Sequence, residues 1–561
     1  MPAFEDVDVL STAAKPKLSY EAHPAAKELG LEGKPWVDWS DPELRKKAEA
    51  FLRSQNWPSV SIQSPAEPVK GPPHVQLQHD FPAQDFESLS LALPRFLEGY
   101  RWQRQFEALG LGHLVDQSWQ TVLEEKEKNF EHVLRFPYNG ETSKEHLLLE
   151  HLTPVPRWFV RNHGEIPRIQ PEDYRLKVTG LVKNPRTFTL DELKSMDLME
   201  KTVTLQCSGG RRIEQIRYAL GDGDSLINAP WHEQAISNAK WKGVSLKKIL
   251  KACGGVTEGA TDVEFVSPMP SRPHPSFNNN HVVSTRLARA DTYFKQHEVD
   301  NYKVSVGMKK VKANEVIVAW EQNGEPLTWI HGAPVRTVVL GVIGARSCKW
   351  LIEIRVLPEV SEGPVQRKEY LLLNHQLSKY NSTFADGFSI QDMPVSSAIM
   401  SPREGEVVVH DGTVKFKGWA YSGGGCFVQR VEVSVDGGHS WWPSHQLTEK
   451  SYYGWRLWEV DAPIAAEGWL EIVCRAWDSS CNTQPSLVRS AWNWGLHVTS
   501  HACRIKIFSV NKSNPVTAAR LKFMEENNIP LEPLTEPLEH ETISAAELAK
   551  ALRDNQREPR E

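Results

Sequence analysis

The chain has 561 residues, 40% of them hydrophobic and 24% charged, with a formal net charge of −6 at pH 7. That length suits two or three domains, each able to bury its own core, and the composition is that of a globular protein. The acidic balance leaves no basic footprint for nucleic acid, and no apolar run reaches the ~18 residues of a membrane span.

Residues 1–129 read as an extension with a linker. Pro42–Phe51 is a short helical piece, and Ser64–Pro82 carries five prolines. Ser118–Leu134 places Trp119, Val122, Leu123, Phe130 and Val133 in an interrupted helical stripe under a charged face. Packing or partner contact, not chemistry, is the expected role of this extension. The acidic start, Met1-Pro-Ala-Phe-Glu-Asp, shows neither a signal peptide nor an arginine-rich presequence, and the last residues are not a Ser-Lys-Leu address. A cytoplasmic location is the resulting expectation.

Residues 130–378 mix short β-rich runs (Tyr174–Val178, Val316–Trp320, Val335–Leu340) with helices at Leu190–Ser195 and Ser245–Ala252. Within them, Thr202–Gln206 is an extended run ending at Cys207, and Gly209-Gly210 turns the backbone with no side chain in the way. Arg211 and Arg212 raise the local potential, which favours the thiolate that metal ligands and nucleophiles need. A buried structural cysteine followed by a surface arginine pair fits the same residues. Both readings stay open on the residues alone.

In residues 396–510 the runs Val431–Val435 and Leu470–Trp477 alternate apolar and polar, and Asp436-Gly-Gly438 supplies a hairpin turn. Strands at short intervals without helices indicate an antiparallel β-sandwich. Residues 511–561 form a tail with a helix-like run at Pro515–Phe523 and a capping box at Ser544–Glu547. The seven cysteines (207, 253, 348, 426, 474, 481 and 503) are odd in number and contain no Cys-x-x-Cys pair. That argues against a disulfide framework and a structural zinc site, and for a reducing compartment.

Cys207-Ser-Gly-Gly-Arg-Arg212 resembles the Cys-Ala-Gly-Asn-Arg-Arg signature of the sulfite oxidase and assimilatory nitrate reductase family. Trp158-Phe-Val-Arg-Asn-His163 is similar to its Arg-Asn-His segment. His331-Gly-Ala-Pro-Val-Arg336 and Gly344-Ala-Arg-Ser-Cys-Lys-Trp350 are similar to its His-Gly-Phe-Pro-Val-Arg and Gly-Ala-Arg-His-Val-Lys-Trp. Tyr421–Gly425 and Val433–Gly438 resemble its C-terminal domain. The matches run in order from about Phe136 to about Ser509.

The resemblance implies an α+β molybdopterin-binding catalytic domain (130–378) followed by an immunoglobulin-like sandwich (396–510) that forms a homodimer. It implies one molybdenum–molybdopterin per subunit, with Cys207 as the only protein ligand to the metal, a soft thiolate suiting such a metal. Phe159, Val160, Arg161, Asn162, His163, His331, Arg336, Ser347, Cys348 and Lys349 fall in the cofactor-binding segments. Arg161, Arg212, Trp231 and Tyr370 match positions around the substrate. No haem or flavin is expected, because the His-Pro-Gly-Gly segment of the cytochrome b5 domain has no counterpart here. Electrons must then leave to oxygen or a separate carrier.

Several positions depart from the pattern. Ser347 stands for a cofactor-site histidine and Gly210 for the asparagine of the cysteine loop. An aspartate of the family has no equivalent near Phe265–Met269. Gly495, in Trp492-Asn-Trp-Gly-Leu496, replaces the third substrate arginine, Ile227 or a neighbour replaces a lysine, and an insertion surrounds Gly221–Asp224. Losing one charge-assisted anion contact costs about 1.5–3 kcal/mol. The expected function is oxidation of sulfite to sulfate. The alternatives are the same chemistry on another S- or N-oxide or a specialised metabolite, then nitrate reduction, then a metal-free scaffold.

Overall fold

A computed structural model describes residues 43, 112–134, 137–218, 229, 231–268, 301–363, 365–373, 387–491, 493, 495–533 and 535. The expected helix at 42–51, the linker at 64–82, the insertion at 221–224, Ile227 and the capping box at 544–547 lie outside the described residues, as do most of those before 112.

Two five-stranded sheets build the catalytic region. One places Leu198–Gln206, which carries the cysteine at its end, antiparallel to Ile236–Ser245, with Val316–Gln322 beyond. Strands Glu325–Pro326 and Arg336–Val339 both pair with Val316–Gln322. The other sheet runs Arg186–Thr189, Arg175–Gly180, Glu353–Leu357, Asp262–Ser267, Tyr302–Gly307, with one parallel junction between the second and third. Along Leu198–Gln206 exposure alternates at first, but Val203 to Gln206 are all buried. The strand therefore enters the interior and delivers Cys207 there.

The helix expected at 190–195 spans Leu190–Lys194. Thr189 and Glu192 close a reciprocal capping box, and Leu190 and Leu193 turn into the core. The stripe expected at 118–134 divides in two. Helix α1 spans Gly112–Glu125, and Glu131–Leu134 is instead a strand that pairs with Asn139–Glu141. Helix α1 packs Trp119 and Val122 against Phe130, Tyr138, Val160, Ile166, Ile330 and Trp350.

Residues 396–511 form two facing sheets of four and five strands. Val407–His410 runs parallel to Cys503–Asn511, an exception to the otherwise antiparallel pairing. The core is continuous between this sandwich and the catalytic region, with Val342 and Ile343 in the same cluster as Met393, Trp419 and Tyr421. The two regions also meet backbone to backbone: Gly424 N–H donates to Gly341 O at 2.9 Å. A Cβ on Gly423 would stand 2.2 Å from Gly341 O, so no side chain fits there.

Candidate active site

The cysteine loop is a tight turn: Gly210 N–H donates to Cys207 O at 3.0 Å, and Gly209 N–H points at Cys207 Sγ, 3.4 Å away. Arg211 takes a left-handed backbone (φ 63°), uncommon for a bulky residue. Its side chain holds it there, with Nε and Nη2 each 2.6 Å from an oxygen of Glu214 and Nη1 2.8 Å from His501 O. Burial pushes the Glu214 carboxyl up, but Arg211 and His501 pull it down to about 2. The arginine pair is not at the surface, since Arg211 is fully buried and Arg212 is 3% exposed.

Cys207 opens on a cavity of about 150 Å³. Of the residues singled out above, Phe159, Arg161, Asn162, His163, His331, Arg336, Ser347, Lys349 and Tyr370 line it too. Four others do not. Val160 is in the small core beside Trp119. Cys348 is fully buried, its Sγ 3.5 Å from Lys349 O, and burial pushes its thiol far up, so it stays protonated. Arg212 is drawn beneath the loop, donating to Leu496 O at 3.0 Å and Ala229 O at 2.7 Å, and folds over Gly209. Trp231 is fully buried behind it.

One wall of the cavity is cationic. Arg336 donates to His331 O at 3.0 Å and stacks its guanidinium 4.9 Å from the Trp241 ring. Lys349 Nζ donates to Asn162 Oδ1 and to Ile330 O. Burial, then the neighbouring Arg336, Lys126 and Arg161, push the Lys349 ammonium well down. Burial lowers Arg336 to about 10. Burial, then Lys126, Lys349 and Arg336, push His331 well below the usual imidazole range. Asn162 is 1% exposed, and its Nδ2 has no acceptor among the described residues. Crowded, desolvated cations and an unused donor suit an anionic, acceptor-rich occupant.

Another part of the lining is aromatic. Tyr370 Oη lies 2.8 Å from His163 Nε2, and the Tyr370 ring is 5.3 Å from that of His497. His497 is buried, with Nδ1 3.0 Å from Ser208 Oγ and Nε2 3.1 Å from Glu369 O. Leu496 and Val498 on either side have positive φ, 48° and 52°. A Cβ on Gly495 would meet His497 Cδ2 at 2.9 Å. His497 thus occupies space that a side chain at 495 would need.

Sequence reasoning passed over His497, a lone histidine in no spaced pattern, and Lys126, which sits in the run Glu124-Glu-Lys-Glu-Lys128 and reads as solvated surface. It also passed over Arg346, buried with its guanidinium on Gln366 Oε1 at 2.6 Å and Ile390 O at 2.9 Å.

Residues 163–365 match the oxidoreductase molybdopterin-binding domain, and residues 387–508 the Mo-co oxidoreductase dimerisation domain. Mitochondrial sulfite oxidase of Homo sapiens is 37% identical over 366 residues, which cover 64% of this chain and 62% of that protein. Sulfite oxidase of Arabidopsis thaliana is 34% identical over 379 residues, covering 64% of this chain and 88% of its own length. The chain belongs to the sulfite oxidase family of molybdopterin oxidoreductases. Among solved structures, the sulfane dehydrogenase SoxCD of Paracoccus pantotrophus shares the fold, with a TM-score of 0.53 at 22% identity over 67% of this chain and 85% of that one.

Residues of this sulfite oxidase family member fit the molybdenum cofactor. The Cys207 thiol would supply a soft ligand at the cavity, and the cationic lining with Asn162 Nδ2 suits the anionic pterin. Gly344 lets its backbone approach the strand end that carries the cysteine, since a Cβ there would stand 3.1 Å from Gln206 O.

Proposed function

We propose that the protein is a homodimeric molybdenum-dependent oxotransferase that oxidises a small sulfur oxyanion, sulfite first among them. When bound, the cofactor supplies the two-electron oxygen-transfer chemistry. The observation that carries the reading is Cys207 opening on a cavity lined by Arg336, Lys349 and His331 and also by Arg161, His163 and Tyr370. Cys207 holds the metal. Arg336, Lys349 and His331 hold the pterin anion, and the buried walls exclude water from it. Arg161 supplies the charge that binds the oxyanion, and Tyr370, oriented by His163, donates a hydrogen bond to it. Arg212 acts through the loop it supports, by keeping Cys207 and Ser208 in place.

A second reading, the same chemistry on another S- or N-oxide, is favoured by Gly495 and His497 together. Gly495 stands where the resemblance places an arginine, and buried His497 fills the adjoining space against Tyr370, so this part of the site is less cationic. The test is metal and pterin analysis of purified protein, then turnover with sulfite beside a panel of S- and N-oxides. About one molybdenum per protomer with sulfite preferred supports the first reading. Metal-replete protein that ignores sulfite and turns over another oxide supports the second, and protein without molybdenum overturns both.

A further inference from the structure

The turn Trp329–His331 is held on every side. Its carbonyls accept from the cofactor wall and its neighbour: Trp329 O from Trp350 Nε1 at 2.9 Å, Ile330 O from Lys349 Nζ at 3.0 Å, and His331 O from Arg336 at 3.0 Å. Its free amides point the other way, toward helix α1. There the Glu125 carboxylate accepts both, from Trp329 N at 2.9 Å and Ile330 N at 3.0 Å.

The next residue, Lys126, is 9% exposed and places its ammonium among three partners: Val155 O at 2.9 Å, Trp158 O at 2.9 Å and His331 Nε2 at 2.6 Å. An ammonium has three donors, so these three partners can take them all. Val155 and Trp158 bracket the short turn that leads into Phe159–His163, and His331 opens the segment to Arg336. One buried lysine therefore joins the two cofactor-lining segments at their starts. Burial pushes this lysine well down, while Glu125 and Glu127 push it back up.

We infer that Glu125 and Lys126 are positioning residues of the cofactor site, and that the segment ahead of the matched catalytic domain determines how tightly this protein retains its anionic pterin. The helix itself is anchored independently, by Ser118 Oγ accepting from Ile166 N at 3.1 Å and by Arg168 donating to Thr121 Oγ1 at 2.8 Å. Loss of the Lys126 ammonium would thus loosen the turn and its imidazole without releasing the helix. The inference rests on the molybdopterin reading given above.

The test uses the full-length loaded protein and follows pterin per protomer by fluorescence after release, together with its rate of loss on dilution. Lys126→Met keeps the length of the side chain and removes its charge. It should lose pterin about tenfold faster than the unaltered protein, the effect of one lost charge-assisted contact. Glu125→Gln should fall between, and it carries the test if Lys126→Met does not fold. Lys126→Arg, which keeps charge and donors, should recover part of the retention. Glu124→Gln, altered only where it meets Arg168 and Gln120 at the surface, should retain pterin like the unaltered protein. Melting of the cofactor-stripped forms separates packing from retention, since a merely structural role would move the melt of Lys126→Met and Glu125→Gln and leave their loss rates unchanged. Folded Lys126→Met and Glu125→Gln proteins that hold pterin at the unaltered rate would overturn the inference alone. Unaltered protein that contains no pterin overturns the function reading and this inference with it.

Discussion

The two walls of the cavity differ in how their polar groups are held. On the cofactor wall, Arg336 and His331 are buried and Lys349 partly so, in a network that reaches from Asn162 to Lys126 just after helix α1. On the substrate wall, Tyr370 leans on His163 and His497, and Arg161 is only partly buried. The first wall keeps most of the family motifs, with Ser347 as a departure. The second combines departures, Gly495 and His497, that fit each other sterically. Cofactor chemistry and substrate choice are therefore separable here, and mutations should divide along the same line.

The largest effect belongs to the cofactor wall. Cys207→Ser should abolish turnover in a folded protein, by more than the ~10–100-fold typical of losing an outer-shell partner of a metal. Turnover close to the unaltered level, with an unchanged melt, would break the comparison at its root. Lys349→Met should next lower pterin content about tenfold, with sulfite KM of the remaining loaded fraction little changed. A KM shift there instead would show that the walls are not separable.

Substrate-wall changes should do the converse. Gly495→Arg alone should destabilise the protein by about 1–3 kcal/mol, as overpacking does, because His497 stands in the way. Adding His497→Ala should lower sulfite KM by giving the new guanidinium room, without restoring the full melt, since it also removes the bonds to Ser208 and Glu369 O. Pterin content should be constant across both proteins. If sulfite KM does not respond in the double variant, the pocket serves another substrate.

The smallest effect is in the pH dependence of stability. Lys126 and Lys349 titrate well below their ordinary 10.5 in the fold, with burial the main cause. The unfolded chain holds those protons to higher pH than the folded one, so it binds more of them below about 10.5 and stability rises with pH in that window. Cofactor-free protein should melt higher at about pH 9 than at neutrality. Loaded protein should show a flatter slope, since the anion supplies the missing counter-charge. Equal slopes would mean that the cofactor does not neutralise these lysines.

The sandwich and the helices at 190 and 245 were legible because each shows a local pattern, alternation in one case and buried periodic positions in the others, with a capping box at 189–192. Cys207 and most cofactor-wall residues were legible through spaced motifs. The residues that joined them were not. Lys126 sits among acidic neighbours in a stretch that reads as solvated, and only contacts 29, 32 and 205 positions away show it buried. His497 lies in no pattern at all, and its partners are 289 and 128 positions distant. Long-range contacts of this kind leave no mark at short spacing. Arg212 was legible as part of the site but not in its direction, because carbonyls at 229 and 496 decide where its guanidinium goes.

The close backbone approach of Gly341 to Gly423 and Gly424 bears on how the molecule can be taken apart. The residues between the two matched regions look like an obvious place to cut or graft. Yet the sandwich also sends Val498 N–H to Ser208 O at 2.6 Å, His501 O to Arg211 and Thr499 Oγ1 to Gln215. A chimera joined at that seam would take its catalytic loop from one parent and the supports of that loop from the other. The heritable unit of this active site is therefore the pair of domains together, and transplants that preserve activity would have to carry residues 496–501 along with the cysteine loop they brace.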